Sequence, residues 1–240
     1  MPIHALWLLG LILLTSPVLA QEQGKAVISQ IKVPGSASVE VVPDTATIRL
    51  AVMTERKTSQ EAAAENARSA TKVIEEIKAQ KIEARDVRTV AVTVAPVFGE
   101  EKDSSGRVVK RTVTGYRALN SLEIRVREIG KVGPIAQQLI DKGGNVLSGI
   151  SFSVSDAEAR RDQLRAKAMQ EALRRAKIYT DAIGLKLGRV IEIEPESEPA
   201  DGSAAASFRG GGETAPAAIP VEPGVQTLST RVTVTWQIAE

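Results

Sequence analysis

The sequence predicts an α+β fold: a split β-α-β-β-α-β (ferredoxin-like) unit, then a long helix and a C-terminal β-hairpin with a mobile loop. Two observations carry this prediction. Segments in which every second residue is apolar, the period of a half-buried strand, alternate with segments that repeat every three to four residues, the period of a helix. Between residues 45 and 154 these segments follow one another in the order β-α-β-β-α-β.

The first strand of this unit covers 45–52, and Pro43-Asp44 separates it from an earlier strand around Val39 and Val41. A helix then begins at the capping box 58–61 (TSQE), in which a hydroxyl and a carboxylate satisfy free backbone donors. We expect the helix to end near Gln80. Its predicted inward face is mostly alanine, which allows close approach to a sheet, and consists of Ala63, Ala67, Ala70, Ile74 and Ile77.

A hairpin and a second helix complete the unit. The alternating residues Val90, Val92 and Val94 predict a strand, and 99–106 (GEEKDSSG) reads as a polar hairpin loop. The chain returns through 108–113 into the clearest strand of the sequence, at 122–126. A short helix at 131–141 is stopped by Gly143-Gly144 and precedes a strand at 146–154. Its expected inward residues are Val132, Ile135 or Ala136, and Leu139.

A second capping box, 155–158 (SDAE), opens the longest helix, which we expect to run to about Ile183 before Gly184. Interspersed basic and acidic residues cover much of this helix. They indicate either a solvated face with pairs four residues apart or a charged surface that faces another subunit. The predicted inward face is Leu164, Ala168, Ala172, Ala176 and Ile183, with Leu173 and Tyr179 beside it.

The C-terminal part predicts two strands joined by a long loop. Residues 187–193 form one strand, and Val232, Val234, Trp236 and Ile238 share one face of the other. Residues 197–224 are rich in proline, glycine and alanine and have few large apolar groups, so we expect a mobile loop there. Pairing of the two strands would close a long hairpin.

The N-terminus predicts export. Residues 5–14 (ALWLLGLILL) are apolar but too short to span a bilayer, and small residues precede Gln21. We therefore expect a signal peptide at 1–20, cleaved near Ala20-Gln21, and no membrane span in the mature chain. The predicted organisation is a flexible N-terminus at 21–30 and a domain at 31–240, divided into two packed sub-units at 31–154 and 155–240.

Composition excludes most familiar catalytic sites. After residue 20 the chain has no histidine and no cysteine, so Ser-His-Asp triads, cysteine nucleophiles, disulfides and His or Cys metal sites are all ruled out. The 31 basic and 29 acidic residues nearly balance, which does not suggest a nucleic-acid partner. We predict no catalytic residue, no cofactor and no metal site.

The remaining motifs are better explained by structural or solvent-exposed roles than by catalysis or ligand binding. The Ser-x-x-Lys motif at Ser29–Lys32 lies at a strand entrance, where residues three apart face opposite sides. Two acidic pairs, Glu192 with Glu194 and Glu100 with Glu101, lack aromatic neighbours that could hold a sugar. The glycine run 210–212 lacks the strand-turn-helix context of a phosphate site. The basic cluster of Arg107, Lys110 and Arg111 reads as a solvated hairpin edge.

Three segments carry a resemblance to a known family: 33–52 (VPGSASVEVVPDTATIRLAV), 114–133 (TGYRALNSLEIRVREIGKVG) and 149–193, which begins GISFSVSDAEARRDQL. Together they resemble the SIMPL-domain family, exported bacterial proteins of the periplasmic immunogenic and oxidative-stress defence type. The resemblance implies a periplasmic α+β protein without an established catalytic activity. It also implies a ring- or channel-like homo-oligomer, and it transfers no catalytic residue.

The leading hypothesis is an exported, non-enzymatic protein that assembles with copies of itself, with an envelope protein as a further candidate partner. The absence of catalytic groups, the alanine-rich helix faces and the family resemblance motivate it. Two alternatives stay open: a periplasmic enzyme that uses Lys, Asp, Glu or Ser, and a membrane-associated pore component. Oxidative-stress protection and outer-membrane association rest on the family alone. Because Met53 and Met169 are not accompanied by any thiol, we expect such protection to be indirect.

Overall fold

The structure, a computed structural model, describes residues 29–196, 205–206 and 219–239. These residues form two antiparallel sheets and three α-helices, which confirms the predicted α+β class. Single 3₁₀ turns lie at Ala84–Asp86 and Ile129–Lys131. The strands are β1 (Gln30–Val41), β2 (Thr45–Arg56), β3 (Val87–Lys102), β4 (Val108–Val126), β5 (Val146–Ser153), β6 (Lys186–Pro195), β7 (Ala205–Ala206) and β8 (Gln226–Ala239). The helices are α1 (Ser59–Ala79), α2 (Val132–Asp141) and α3 (Ala157–Ala182).

The larger sheet has the strand order β3-β4-β2-β5-β7, and each neighbouring pair is antiparallel. The chain passes through it in the element order β2-α1-β3-β4-α2-β5. Alternate residues of β2 and β4, among them Ile48, Leu122 and Ile124, are fully buried. They pack with Ile77 of α1 and Leu139 of α2 in one apolar cluster. Burial of this apolar face is the main force that holds both helices on the sheet.

Helix α1 begins as predicted, because the hydroxyl of Thr58 accepts the backbone N–H of Glu61, and Gln80 caps its end. Its inward face differs from the prediction. Ala67 is exposed, and the buried positions are Ala62, Asn66, Ala70, Val73 and Ile77. On this face the side chain of Asn66 donates hydrogen bonds to the carbonyls of Val52 in β2 and Ala118 in β4.

The smaller sheet has the order β1-β8-β6, with α3 packed against it. The predicted pairing of the C-terminal strand with the strand at 187–193 is confirmed. β8 pairs on its other side with all of β1, from Gln30 opposite Gln237 to Val41 opposite Gln226. Helix α3 buries Leu164, Ala168, Ala172 and Ala176 as predicted. Ile183 is 64% exposed, and Thr180 takes its place on the buried face.

Glycine 35 sets the spacing between β1 and α3. A Cβ atom at this position would lie 2.1 Å from the carbonyl oxygen of Ala168 and 2.6 Å from the backbone nitrogen of Ala172. Strand and helix can approach this closely because no side chain stands between them. The alanine-rich face of α3, combined with Gly35, therefore gives a close helix–sheet contact, whereas the sequence suggested such an approach for the alanine face of α1.

The two sheets are joined where the links β1–β2 and β5–α3 run side by side. The backbone N–H and the hydroxyl of Ser155 donate to the carboxylate of Asp44 at 2.8 and 2.6 Å. The N–H of Asp44 donates to the carbonyl of Ser153. The predicted capping box at 155–158 is therefore wrong, because Ser155 binds this carboxylate and α3 begins after Asp156 without a side-chain cap. Charge-assisted hydrogen bonds of this kind are stronger than those to neutral groups.

Two predicted boundaries also change. The expected loop at 99–106 is shorter, since β3 continues to Lys102 and the turn occupies 103–107. Cross-strand charge pairs such as Glu100 with Arg111 let this polar stretch stay extended. The expected mobile loop at 197–224 lies mostly outside the described residues. In its described part, β7 pairs with β5 and Ile219 packs against the larger core.

The division of the domain into 31–154 and 155–240 stays a prediction. Two separate buried clusters are present, one under each sheet. Strand β1, however, lies in the sheet that otherwise comes from the second range. The expected signal peptide at 1–20 and the N-terminal segment 21–28 lie outside the described residues.

Candidate self-association surface

The lysine of the Ser-x-x-Lys motif bonds to a carboxylate. Lys32 lies in β1, and its Nζ atom is 2.7 Å from Oε2 of Glu194 in β6. This hydrogen bond raises the pKa of Lys32 above its ordinary value. A lysine held in its protonated form cannot accept a proton from a serine at neutral pH. The structure thus gives no support to a serine–lysine site at Ser29.

The two acidic pairs are arranged differently from one another. Glu192 and Glu194 lie in β6, opposite two threonines of β8, and share a face as the sequence suggested. Glu100 and Glu101 are consecutive residues of strand β3, and not loop residues as predicted. Successive strand residues point to opposite faces, so these two carboxylates do not form a pair. No group of three or more His, Cys, Asp or Glu residues that could hold a metal ion occurs in the described part of the chain.

Titratable groups with a resolved pKa shift all favour their charged forms. Hydrogen bonds from Arg174 and Arg175 lower the pKa of Glu171 to about 2. The hydrogen bond from Arg127 lowers the pKa of Asp86. Catalytic acids and bases need pKa values near the working pH, which requires shifts toward the neutral form. The shifted groups of 29–196 and 219–239 are therefore held in their ionised forms by ion pairs or by hydrogen bonds.

Asp86 shows what these ion pairs do. Its carboxylate is 7% exposed and receives the Nε and Nη2 donors of Arg127 at 3.1 and 2.8 Å. This two-point contact joins the 3₁₀ turn before β3 to the chain just after β4. It fixes the beginning of the β3–β4 hairpin against the sheet. A buried carboxylate with such a partner has a structural role.

The hairpin itself extends beyond the sheet. β2 pairs with β4 only from Tyr116 onward and ends at Arg56, whereas β3 and β4 go on pairing from Val97–Gly115 to the tip. We call residues 97–115 the arm. Within the described residues the arm is a ribbon of two strands, because its strands pair only with each other. Two-stranded ribbons are marginally stable in water unless another element covers them.

The tip of the arm is well formed. The carboxylate of Asp103 accepts the backbone N–H groups of Ser105 and Arg107 and the Ser105 hydroxyl. The hydrogen bond from the Ser105 hydroxyl is the largest cause of a lowered pKa at Asp103. Gly106 has a positive φ of 80°, which completes the turn at little steric cost. The arm is thus a defined element and not a loose loop.

Apolar side chains on the arm are exposed to solvent. Phe98, Val108, Val109 and Val113 are 45–59% exposed, and the guanidinium of Arg111 lies 5.3 Å from the Phe98 ring centre. A cation over an aromatic ring partly offsets this exposure, by about 0.5–1 kcal/mol. Clusters of exposed apolar groups on one element mark interaction surfaces more often than scattered ones do.

The exposed apolar surface continues along β3 toward the sheet. Val92 and Val94 lie opposite Asn120 and Ala118 of β4, on the face of the sheet that carries the helices. They are nevertheless 64% and 45% exposed, because α1 packs mainly over β2 and β4. Next to them, the buried Oδ1 atom of Asn120 has no hydrogen-bond partner among the described residues. β3 is therefore an edge strand with an uncovered apolar face.

A shallow groove of about 320 Å³ lies at the root of the arm and is open to solvent. Its lining includes Glu55, Arg56 and Gly115. Glu55 is held by Arg117, whose Nε lies 2.6 Å from its carboxylate, and Arg56 pairs with Glu65. Two of the three charged groups of this groove are thus already paired, and the third, Lys57, makes no ion pair with the described residues.

Sequence reasoning identified the strand at Val90, Val92 and Val94 but missed its exposure. Alternation shows that one face of a strand is apolar, but not whether a helix covers that face. It also missed the arm, because a polar tip sequence reads as a loop. The basic cluster of Arg107, Lys110 and Arg111, interpreted as a solvated edge, lies on this arm.

In the described ranges no helix is both long and apolar enough to cross a membrane. The family model SIMPL, described as a protein of unknown function (DUF541), matches residues 31–236. The 26 kDa periplasmic immunogenic protein of Brucella melitensis biotype 1 is 33% identical over 184 residues, which cover 76% of this chain and 73% of that protein. The uncharacterized protein YggE of Escherichia coli K12 is 24% identical over 66% of this chain and 62% of its own length.

A model that matches most of the chain, together with a relative that is 33% identical and aligns over 76% of its length, settles the family. It also confirms the resemblance drawn from the three quoted segments. The chain belongs to the SIMPL family of proteins of unknown function.

Proposed function

We propose that this protein is a non-enzymatic component of the periplasm that assembles with copies of itself through the arm. The observation that carries the proposal is the uncovered apolar arm, a ribbon of two strands that no other described element supports. Covering the exposed half of a valine or phenylalanine side chain contributes about 1 kcal/mol. Four such residues on the arm and two on β3 supply a driving force of several kcal/mol for association.

Export to the periplasm has its own support. Residues 5–14 are an apolar run followed by small residues, which is the pattern of a secretory signal. The relatives from Brucella are named periplasmic proteins. The lack of cysteine means that the chain needs no oxidative folding after export.

The directions of the pKa shifts support the non-enzymatic part of the proposal. Every resolved shift in the described chain favours an ionised side chain, and the mature sequence has no histidine or cysteine. A periplasmic enzyme that uses Lys, Asp, Glu or Ser would need at least one group shifted toward neutrality in a pocket. Oxidative-stress protection stays a prediction, and any protective effect is expected to be indirect.

Two statements about the fold belong to the same proposal. The strand order β3-β4-β2-β5 and the element order β2-α1-β3-β4-α2-β5 support a ferredoxin-like split unit. The two separate buried clusters support a division into two packed sub-units. In this arrangement the arm projects from one sub-unit as an extension of its sheet.

The test is the solution mass of the protein that begins at Gln21, measured by light scattering after size exclusion. We expect the wild type to form a discrete oligomer and the variant Val109→Lys to dissociate toward the monomer. The matched control is Val42→Lys, since Val42 is similarly exposed at 64% but lies between β1 and β2. A monomeric wild type, or equal effects of both substitutions, would overturn the proposal.

A further inference from the structure

A second uncovered edge exists on the smaller sheet. β6 pairs only with β8 in the described chain, so its other side is a free edge. Val190 and Ile193 lie opposite Trp236 and Val234, residues buried beneath α3. They remain 45% and 51% exposed because α3 packs mainly over β1 and β8. β6 thus repeats the situation of β3: an edge strand whose helix-side face is apolar and uncovered.

The two free surfaces carry opposite charge. β4 within the arm presents Lys110 and Arg111 among its valines, and Arg107 lies in the turn just before this strand. β6 and the residue after it present Glu192, Glu194 and Glu196 among Val190, Ile191 and Ile193. Some of these charges have partners within the chain, such as Arg111 with Glu100 and Glu194 with Lys32. Lys110 and Glu192 make no ion pair or side-chain hydrogen bond with the described residues.

Pairing of the arm with the arm of another copy, or of β6 with the β6 of another copy, is unfavourable. Two arms joined along β4 would place basic residues opposite basic residues, and two β6 strands would place glutamates opposite glutamates. Like charges directly opposite one another destabilise a strand pair, whereas opposite charges contribute about 0.2–1 kcal/mol each. An arm paired with β6 joins opposite charges and buries apolar residues of both strands. The β4 segment of the arm and β6 are also of similar length, at 8 and 10 residues.

We infer that the free β4 edge of the arm of one copy adds as a strand to the β6 edge of the next copy. This inference rests on the proposed self-association and names the surface that receives the arm. Such a contact uses two different patches of one chain, so it is heterologous. Repetition of a heterologous contact gives a ring when the rotation closes and a filament when it does not.

Cysteine cross-linking tests the pairing directly, because the chain has no cysteine of its own. Two single variants are made on residues 21–240, Val109→Cys on the arm and Ile193→Cys on β6, with tags of different size. Each is treated with a bismaleimide alone and after the two are dissociated, mixed and reassembled. We expect a cross-linked heterodimer in the mixture and little dimer in either variant alone. A third variant, Val92→Cys, reports symmetric pairing through the β3 edge.

A charge exchange provides a second measurement. Lys110→Glu and Glu192→Lys should each raise the subunit concentration at which the oligomer dissociates by about threefold or more, and the double variant should restore it. If the oligomer forms but cross-links arise only between like variants, or the double variant is no better than the singles, the inference fails and the proposed function stands. A monomeric wild type would overturn both.

Discussion

Close contact between β1 and α3 is tested by Gly35→Ala. A Cβ atom at residue 35 would lie 2.1 Å from the Ala168 carbonyl oxygen, so the helix must retreat by about 1.3 Å to reach the 3.4 Å of ordinary contact. Overpacking of this kind costs about 1–3 kcal/mol, and the loss of glycine freedom in the unfolded chain returns about 0.5 kcal/mol. We therefore expect the free energy of unfolding of the smaller sheet to fall by about 1.5 kcal/mol.

Urea unfolding followed by tryptophan fluorescence measures this change in the right part of the molecule. In the protein that begins at Gln21, Trp236 is the sole tryptophan, and it is buried with Ala168 and Ala172. With a slope of about 2 kcal/mol per molar urea, the midpoint should fall by about 0.75 M. The matched control is Gly130→Ala, because a Cβ atom there meets nothing within 4 Å. Equal midpoints for the two variants would refute the close-contact reasoning.

Three further predictions concern the polar contacts. The side-chain amide of Asn66 donates to the carbonyls of Val52 and Ala118 at 2.8 and 3.1 Å, and Asn66→Asp replaces this donor by an acceptor. Thermal unfolding should show the larger sheet destabilised by more than about 3 kcal/mol. A variant as stable as the wild type would contradict this expectation. Asp86→Asn should lower the free energy of unfolding at neutral pH. The difference from the wild type should shrink as the pH falls through the lowered folded pKa of Asp86, since that carboxylate stabilises the fold only while it is ionised. A difference that does not change with pH would contradict this role of the carboxylate. At Asp44, burial acts to raise the pKa, but hydrogen bonds from Ser155 outweigh it and lower the pKa. Asp44→Asn should therefore speed amide hydrogen exchange at 153–157. Unchanged exchange would argue against a role of Asp44 in joining the two sheets.

Local features of the fold could be predicted because their causes are local. The hydroxyl of Thr58 binds a backbone N–H three residues away, and Gly184 allows the left-handed turn, with φ of 70°, that ends the last helix. Alternation in 122–126 identifies a strand because a half-buried strand needs that period. The pairing of 187–193 with the C-terminal strand was also predictable, since a loop joins the two.

Distant contacts could not be predicted in the same way. Nothing near Gln30 indicates that β1 pairs with β8, whose residues lie about 200 positions later. The inward turn of Asn66 depends on carbonyls supplied by two other strands. Ser155 looked like a helix cap because its neighbours fit the capping box, yet a carboxylate from a distant link binds it. Each error has the same origin, which is that a tertiary partner replaced a local one.

The sequence predicted the strands of the candidate surface but not their exposure. The alternation of Val90, Val92 and Val94 indicated a strand, but the exposure of that strand depends on where α1 lies. The length of the arm could not be predicted from the polar sequence at 99–106. Its charged residues pair across the two strands, but in the sequence of a single strand they are typical of a loop. The exposed apolar edge at β3 and the two-stranded arm arise from the arrangement of several strands in the sheet, so no single sequence segment predicts them.

Self-association through the arm is tested most directly by the mass of the protein that begins at Gln21, measured across a range of micromolar concentrations. We expect a discrete oligomer for the wild type and for Val42→Lys, and a shift toward monomer for Val109→Lys. A wild type that stays monomeric at every concentration would contradict it and leave the exposed arm without a partner in its own chain.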